Sequence, residues 1–94
     1  MKVRWTRGAL ADLDSAYEYV AGDNPAATER LLDRIEGAVT VLGRHPEAGR
    51  TGRIHGTREV VVTGTPFIIP CRVRRATVEL LAVIHGSRKW PDSL

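Results

Sequence analysis

Three runs of strand-forming residues in the C-terminal half constrain the fold of this chain most strongly. Residues 59–63, 67–73 and 78–85 are rich in Val, Ile and Leu, and their β-branched members suit a pleated sheet. Short connections containing Gly, Pro and Arg separate the runs, and connections this short join antiparallel neighbours. The third run is apolar at both of its alternating sets of positions, which predicts a central strand covered on both faces.

Two helical patterns precede these runs. Apolar side chains recur at helical spacing over residues 7–21, which Thr6 can cap, and over residues 25–42, where Asn24 and Pro25 form a typical helix start. The short link between the two patterns predicts an antiparallel helical hairpin. The apolar side chains that we expect to be mostly buried are Leu10, Leu13, Leu31, Ile35, Leu42, Leu80 and Ile84.

The predicted order of elements is β-α-α-β-β-β, beginning with a short strand around Val3 and Trp5. This order predicts an α+β fold in which a four-stranded, mostly antiparallel sheet packs against a two-helix hairpin. Pro70 lies inside the second run and lacks a backbone N–H, so we expect an unpaired edge or a bulge at this residue. We interpret residues 1–94 as one domain, because a chain of this length builds one modest core.

Composition argues against several classes of protein. A hydrophobic content of 43% and a charged content of 27% are typical of a globular chain. No apolar stretch approaches the ~18 residues of a membrane span, and the N-terminus shows no apolar signal segment. We therefore predict a cytoplasmic protein without a membrane partner. His45 and His55 are isolated and the single Cys71 lies in an apolar run, so we expect neither a metal ion nor a cofactor.

Charge is distributed unevenly along the chain. Residues 1–49 carry six Lys or Arg against eight Asp or Glu, whereas residues 50–91 carry eight Lys or Arg against two Glu, a net charge of +6. A strongly basic sheet half indicates an anionic partner, which would be a nucleic acid, a ribosome or an acidic protein segment. A solvated basic surface without a specific partner is the alternative.

Short motifs follow one another in a fixed order: Ala11-Asp12-Leu13, Asn24-Pro25, Gly49-Arg50, Gly56-Thr57-Arg58-Glu59-Val60, Arg72 and Ile84-His85-Gly86-Ser87-Arg88-Lys89-Trp90-Pro91. In this order and spacing they resemble the RelE/ParE superfamily of bacterial type II toxins over nearly the whole chain. The resemblance implies a toxin, often linked to plasmid stabilisation, that inhibits growth until its cognate antitoxin neutralises it in a hetero-oligomer. It also implies the α+β fold predicted above.

The RelE branch of this superfamily implies ribosome-dependent cleavage of mRNA. Attack of the 2′-hydroxyl on the adjacent phosphate needs proton transfer and cationic stabilisation of the phosphorane, but no metal ion. Arginine binds phosphate through a bidentate fork and is too basic to accept a proton. The catalytic candidates are therefore His85 for proton transfer, with Glu59 as an alternative base, and Arg58, Arg72 and Arg88 as phosphate ligands.

The ParE branch implies inhibition of DNA gyrase through a protein contact, without catalysis by the toxin. We favour this branch, because the resemblance to RelE-type nucleases implies a tyrosine near the C-terminus and lysines in the sheet. Here the tyrosines, Tyr17 and Tyr19, lie on the first helix, and Lys2 and Lys89 are the only lysines. A third hypothesis, outside the toxin class, is a basic nucleic-acid-binding module. The residues expected to contact the antitoxin or the target are Arg53, Arg58, Arg72, Arg88 and Trp90.

Overall fold

The computed structural model describes residues 1–94, apart from the side chain of Asp23, as two helices and six strands. Both helices begin where predicted and continue two residues beyond the predicted end. The elements in chain order are β1 Lys2–Trp5, α1 Arg7–Asp23, α2 Pro25–Arg44, β2 Arg50–Thr51, β3 Arg58–Val61, β4 Phe67–Arg74, β5 Thr77–Leu80 and β6 Ile84–His85.

Both helix starts carry the caps that the sequence predicts. The Thr6 hydroxyl accepts a hydrogen bond from the Ala9 N–H at 3.2 Å, and the Asn24 side chain accepts one from the Ala26 N–H at 3.0 Å. Pro25 occupies the first turn of α2, where its missing N–H leaves no helical bond unmade. These local signals fix where each helix of the hairpin begins.

The sheet is mixed, with strand order β1-β5-β4-β3-β2 and β6 paired with β4. β3, β4 and β5 are antiparallel neighbours, as predicted. β1 instead runs parallel to β5, with Lys2 opposite Thr77 and Trp5 opposite Leu80. The prediction of four mostly antiparallel strands in the order β-α-α-β-β-β is therefore wrong in strand number and in element order, and the parallel β1 makes the sheet mixed. Short turns make β3, β4 and β5 pair in succession. The pairing of β1 with β5 depends instead on a long crossover, which the local sequence does not specify.

The third predicted run, residues 78–85, is not one continuous strand. It forms β5 and β6, and the middle strand of the sheet is β4 rather than this run. Ile68 lies opposite Ile84, and Cys71 lies opposite Leu80. Between these two pairs β4 contributes two residues and the other segment contributes three, which is a bulge.

Pro70 explains this interruption. The N and C=O of a strand residue face the same neighbour, and the Pro70 carbonyl accepts a hydrogen bond from the Leu81 N–H at 2.8 Å. The missing N–H of Pro70 therefore faces the break between β5 and β6. The Val83 N–H donates to the Asp12 carboxylate of α1 at 3.0 Å, which ties that helix to the sheet. Of the two arrangements expected at Pro70, an unpaired edge or a bulge, the structure shows the bulge.

Both helices pack on one face of the sheet, and the core lies between the two layers. Leu13 and Ile84 are half-buried, whereas Leu10 is 47% exposed, so its predicted burial is wrong. The side of α1 that enters the core carries the small residues Ala9 and Ala16 instead. The predicted core residues that are buried are Leu31, Ile35, Leu42 and Leu80.

The turn between β4 and β5 holds two non-glycine residues in the left-handed region, Arg75 with φ 52° and Ala76 with φ 57°. This conformation costs an L-residue about 1–2 kcal/mol, and glycine relieves it at a smaller cost in chain entropy. We expect Ala76→Gly to raise the free energy of unfolding in urea by about 1 kcal/mol. Ala11→Gly, at an exposed position of α1, should lower it by about 1 kcal/mol. A loss of stability at both positions would contradict strain in this turn.

Candidate functional site

The sheet face turned away from the helices carries a row of charged side chains. Register places Arg4, Glu79 and Arg72 side by side on three adjacent strands. Glu59 lies opposite Arg50 on the same face, because alternate residues of a strand point to opposite sides. We call this surface, formed by Lys2, Arg4, Arg50, Glu59, Arg72, Arg74 and Glu79, the basic face.

Glu79 organises one end of the basic face. It is only 6% exposed, and its carboxylate accepts hydrogen bonds from the Arg4 guanidinium and from the Arg72 Nε at 3.0 Å. These bonds, with the Arg4 bond the largest cause and the Arg72 bond next, hold the pKa of Glu79 below its ordinary value. Two arginines on one carboxylate leave this cluster with a net positive charge.

The lowered pKa of Glu79 predicts a pH dependence of stability. A carboxyl whose folded-state pKa is depressed stabilises the fold above its unfolded value of about 4.3 and loses that contribution as pH falls through the folded-state pKa. We expect the difference in unfolding free energy between the native protein and Glu79→Gln to be largest near neutral pH and to shrink below about pH 4.3. Urea denaturation of both proteins over this range measures it, and a constant difference would contradict the assignment.

Glu59 organises the other end of the basic face. It is 3% exposed, and it accepts hydrogen bonds from the Arg50 Nη2 at 3.1 Å and from the Arg53 backbone N–H at 2.7 Å. The Arg53 side chain also lies within ion-pair distance, with its Nε 3.4 Å from the carboxylate. Glu59 thus fixes the loop after β2 against β3.

Arg53 connects this loop to the C-terminal segment. Its guanidinium lies over the ring of Trp90, 3.9 Å from the ring centroid, which is a cation–π contact. Arg53 and Trp90, which the sequence predicted only as separate contact residues, therefore form one structural unit with Glu59. Sequence reasoning missed this pairing, because nothing local places residue 90 beside residue 53.

A concavity of about 470 Å³ opens at the Glu79 end of the basic face. Among the described side chains, no ion pair involves Lys2, Arg74 or Arg75, whereas Arg4 is bound to Glu79. Sequence reasoning missed Lys2 and Arg4, since only the parallel pairing of β1 with β5 brings them here. The residues lining the concavity are Lys2, Arg4, Arg74, Arg75, Thr77 and Glu79.

The structure separates the catalytic candidates for RNA cleavage. Arg58 lies opposite Cys71 on the helix side of the sheet and donates a hydrogen bond to the Gly49 carbonyl at 2.9 Å. His85 lies opposite Phe67, four residues away along β4, or about 13 Å. Arg72 points to the other face, where it binds Glu79, and the alternative base Glu59 is held by arginines.

His85 and Arg88 do lie together, in a cleft of about 290 Å³ between α1 and the segment after the bulge. Tyr19 of α1 lines the same cleft. Its position on the first helix predicted that it lies far from the C-terminal residues. The packing of α1 across the start of β4 places it beside them instead.

Cys71 is buried in β4, and burial raises the pKa of its thiol, opposed only in part by the charge of Arg58. This is the environment of an unreactive structural cysteine. Within the part of the chain whose side chains are described, no three His, Cys, Asp or Glu residues lie close enough together to hold a metal ion. No helix in the described residues is long and apolar enough to cross a membrane.

Comparisons with known proteins identify the family of this chain. The family described as ParE toxin of type II toxin-antitoxin system, parDE, matches residues 3–90. The protein named "Putative toxin Y4kP" of Sinorhizobium fredii is 44% identical over 99% of this chain and 96% of its own length. Toxin RelE2 of Caulobacter vibrioides is 33% identical over 93% of this chain and 97% of its own length.

A solved structure shows the same fold. A chain of the chromosomal ParDE toxin–antitoxin system from P. aeruginosa superposes with a TM-score of 0.80 at 28% identity, covering 90% of this chain and 95% of its own. The relatives carry both ParE and RelE names, so they do not distinguish the two targets. Since the family match spans nearly the whole chain and the fold agrees, this protein belongs to the ParE toxin family of type II toxin–antitoxin systems, within the RelE/ParE superfamily.

Proposed function

We propose that this toxin inhibits DNA gyrase through a protein contact. The observation that carries the proposal is the separation of the cationic residues: Arg72 binds Glu79 on the basic face, whereas Arg58 binds a loop carbonyl on the helix side. Cleavage of RNA would need these groups within hydrogen-bond reach of one phosphate. Charges spread over two faces suit a protein surface better than a catalytic centre.

A ribosome-dependent ribonuclease is the second candidate, and one observation favours it. Tyr19 lines the cleft that contains His85 and Arg88, which supplies an aromatic hydroxyl beside the C-terminal residues. Arg72, which lies on the basic face, is on the opposite side of the sheet from His85. A nuclease would therefore have to work with Arg88 as its main phosphate ligand.

Expression of the toxin in growing bacteria separates these candidates. We expect growth arrest with intact mRNA in primer extension, accumulation of double-strand DNA breaks, and inhibition of supercoiling when purified toxin is added to gyrase. His85→Ala should leave this inhibition nearly unchanged, because no proton transfer is involved. Codon-positioned mRNA cuts that disappear in His85→Ala would overturn the proposal, since loss of a general acid or base costs ~10²–10⁴-fold. Both candidate targets lie in the cytoplasm, where we place the protein.

We further propose that a cognate antitoxin covers the basic face with an acidic segment, in a toxin–antitoxin hetero-oligomer. The cations around the Glu79 concavity support this, because Lys2, Arg74 and Arg75 offer charges that the described ion pairs leave available. Arg53 and Trp90 lie at the other end of the basic face, where Arg53 contacts both Glu59 and the ring of Trp90. Opposite charges at such a rim mainly accelerate association.

Charge reversal on the basic face should slow antitoxin binding. We expect Arg74→Glu to lower the association rate constant about tenfold at low salt and to change the dissociation rate much less. Arg30→Glu, on the exposed surface of α2, makes the same charge change away from this face and should have a small effect. Stopped-flow measurements with the cognate antitoxin test this. Equal effects of the two substitutions, or an association rate independent of salt, would contradict an antitoxin on the basic face.

A further inference from the structure

A carboxylate lies in the middle of the most cationic part of the basic face. Strand register places Glu79 on β5 between Arg4 on β1 and Arg72 on β4, so the Cα atoms of the two arginines are about 10 Å apart. Lys2 and Arg74 lie on the same face of these outer strands, two residues further along. A surface that only attracted polyanions would be stronger with a neutral residue at this central position.

Glu79 holds the two arginines through different oxygen atoms. Its Oε1 accepts a hydrogen bond from the Arg72 Nε at 3.0 Å, and its Oε2 accepts one from the Arg4 Nη2. The Glu79 side chain is 9% exposed, against 56% for Arg4 and 38% for Arg72. Among the hydrogen bonds of the described side chains, each of these arginines uses one nitrogen, on Glu79. The other guanidinium N–H groups are therefore free to meet a partner, on side chains whose positions are already fixed.

This arrangement favours a protein carboxylate as the group that binds. An exposed arginine loses rotamer freedom when it binds a partner, and a side chain that is already held in place loses less. Arg4, Arg72 and Glu79 together carry a net charge of +1, which one incoming carboxylate neutralises. A guanidinium fork matches the two oxygens of such a group.

The same carboxylate disfavours a nucleic acid. A nucleic-acid strand carries a negative charge at every nucleotide, and its affinity follows the number of cations that the protein offers to its phosphates. Glu79 cancels one of these cations at the centre of the face and repels the phosphates that pass over it. Discrimination between two anionic partners often needs a repulsive element of this kind besides the attractive one.

We propose that Glu79 sets the specificity of the basic face, positioning Arg4 and Arg72 for a carboxylate of the antitoxin's acidic segment and weakening the binding of nucleic acid. The first half of this inference rests on the proposed placement of the antitoxin on the basic face. Glu79 is a positioning residue, since it acts on the antitoxin through the two arginines. Its effect on nucleic acid is direct, through its own charge.

Glu79→Gln tests both effects, because it removes the charge, keeps the side-chain length and leaves one oxygen for two arginines. We expect stopped-flow measurements on the full chain to show about tenfold faster dissociation of the cognate antitoxin. Fluorescence anisotropy should show about three- to tenfold tighter binding of labelled oligo(dT) at low salt. Tighter binding of both partners would mean that net charge alone decides affinity, and weaker binding of both would mean a damaged surface. Either result, or no change with either partner, would overturn the proposal.

Two further variants separate charge from position. Glu79→Asp keeps the charge but is one methylene shorter, so we expect oligo(dT) affinity within about twofold of the unaltered chain and still faster antitoxin dissociation. A Glu79→Asp protein that binds oligo(dT) as tightly as Glu79→Gln would contradict the charge effect. Glu36→Gln makes the same charge change on the exposed surface of α2 and should alter both affinities by less than about twofold.

Arg74→Glu distinguishes failure of this inference from failure of the proposed antitoxin position. Antitoxin association that is unchanged in Arg74→Glu would overturn the placement on the basic face, and with it the positioning role of Glu79. Slower association in Arg74→Glu together with unchanged dissociation in Glu79→Gln would retain the placement and overturn the role of Glu79 alone.

Discussion

Replacing Leu80 by Ala should lower the free energy of unfolding by about 2–5 kcal/mol. Leu80 is fully buried in β5, between β1 and β4, and it belongs to the cluster that both helices cover. The substitution removes apolar contacts and leaves a cavity, since the sheet on either side cannot collapse to fill it. Urea denaturation followed by circular dichroism measures the change.

Leu10→Ala provides the matched control for this prediction. The same atoms are removed from a leucine that is 47% exposed on α1, so the loss should be about 0.5 kcal/mol or less. A loss at Leu10 equal to that at Leu80 would show that Leu10 is covered in solution, for instance by a second copy of the chain. A loss below about 1 kcal/mol at Leu80 would contradict the packing of the core.

Replacing Glu59 by Leu should lower the free energy of unfolding by about 1–3 kcal/mol. The substitution leaves the Arg53 N–H without its acceptor and removes the partner of Arg50 and Arg53. A fully buried ion pair broken in this way costs about 3–5 kcal/mol, but these arginine side chains are 55% and 46% exposed and can turn to water. Glu47→Leu, at an exposed position with the same change of chemistry, should alter stability by about 0.5 kcal/mol or less.

Glu59→Leu should also release the C-terminal segment. Because Arg53 connects Glu59 to the ring of Trp90, we expect the fluorescence of Trp90 to shift toward that of a solvated indole. A Trp5→Phe background isolates this signal, as Trp5 and Trp90 are the tryptophans of the chain. An unchanged spectrum in a destabilised Glu59→Leu protein would show that the C-terminal segment is held by other contacts.

Local signals predicted the elements whose causes are local. Thr6, Asn24 and Pro25 mark the helix starts, and the Gly- and Arg-containing turns fix the antiparallel order of β3, β4 and β5. The parallel pairing of β1 has no local signal, since its partner strand lies about 75 residues away. Pro70 predicted an interruption in the hydrogen bonding of the sheet, because it lacks a backbone N–H. Either an unpaired edge or a bulge would accommodate it, and only the strand register shows that it is a bulge.

The candidate site was predictable residue by residue, but its grouping was not. Period-two alternation correctly separates Arg58 from Glu59 onto opposite faces. It could not show that Arg72 shares a carboxylate with Arg4, because that pair depends on the crossover to β1. It also could not bring Tyr19 beside His85, since a helix contacts a strand through tertiary packing alone.

The parallel pairing of the first strand with the fifth sets an order of events during synthesis. Thr77 follows its partner Lys2 by about 75 residues, which at 5–20 residues per second is a delay of about 4–15 seconds. Until then β1 has no strand beside it, and Arg4 lacks the carboxylate of Glu79. The sheet and its basic face are therefore completed only after β5 has been synthesised.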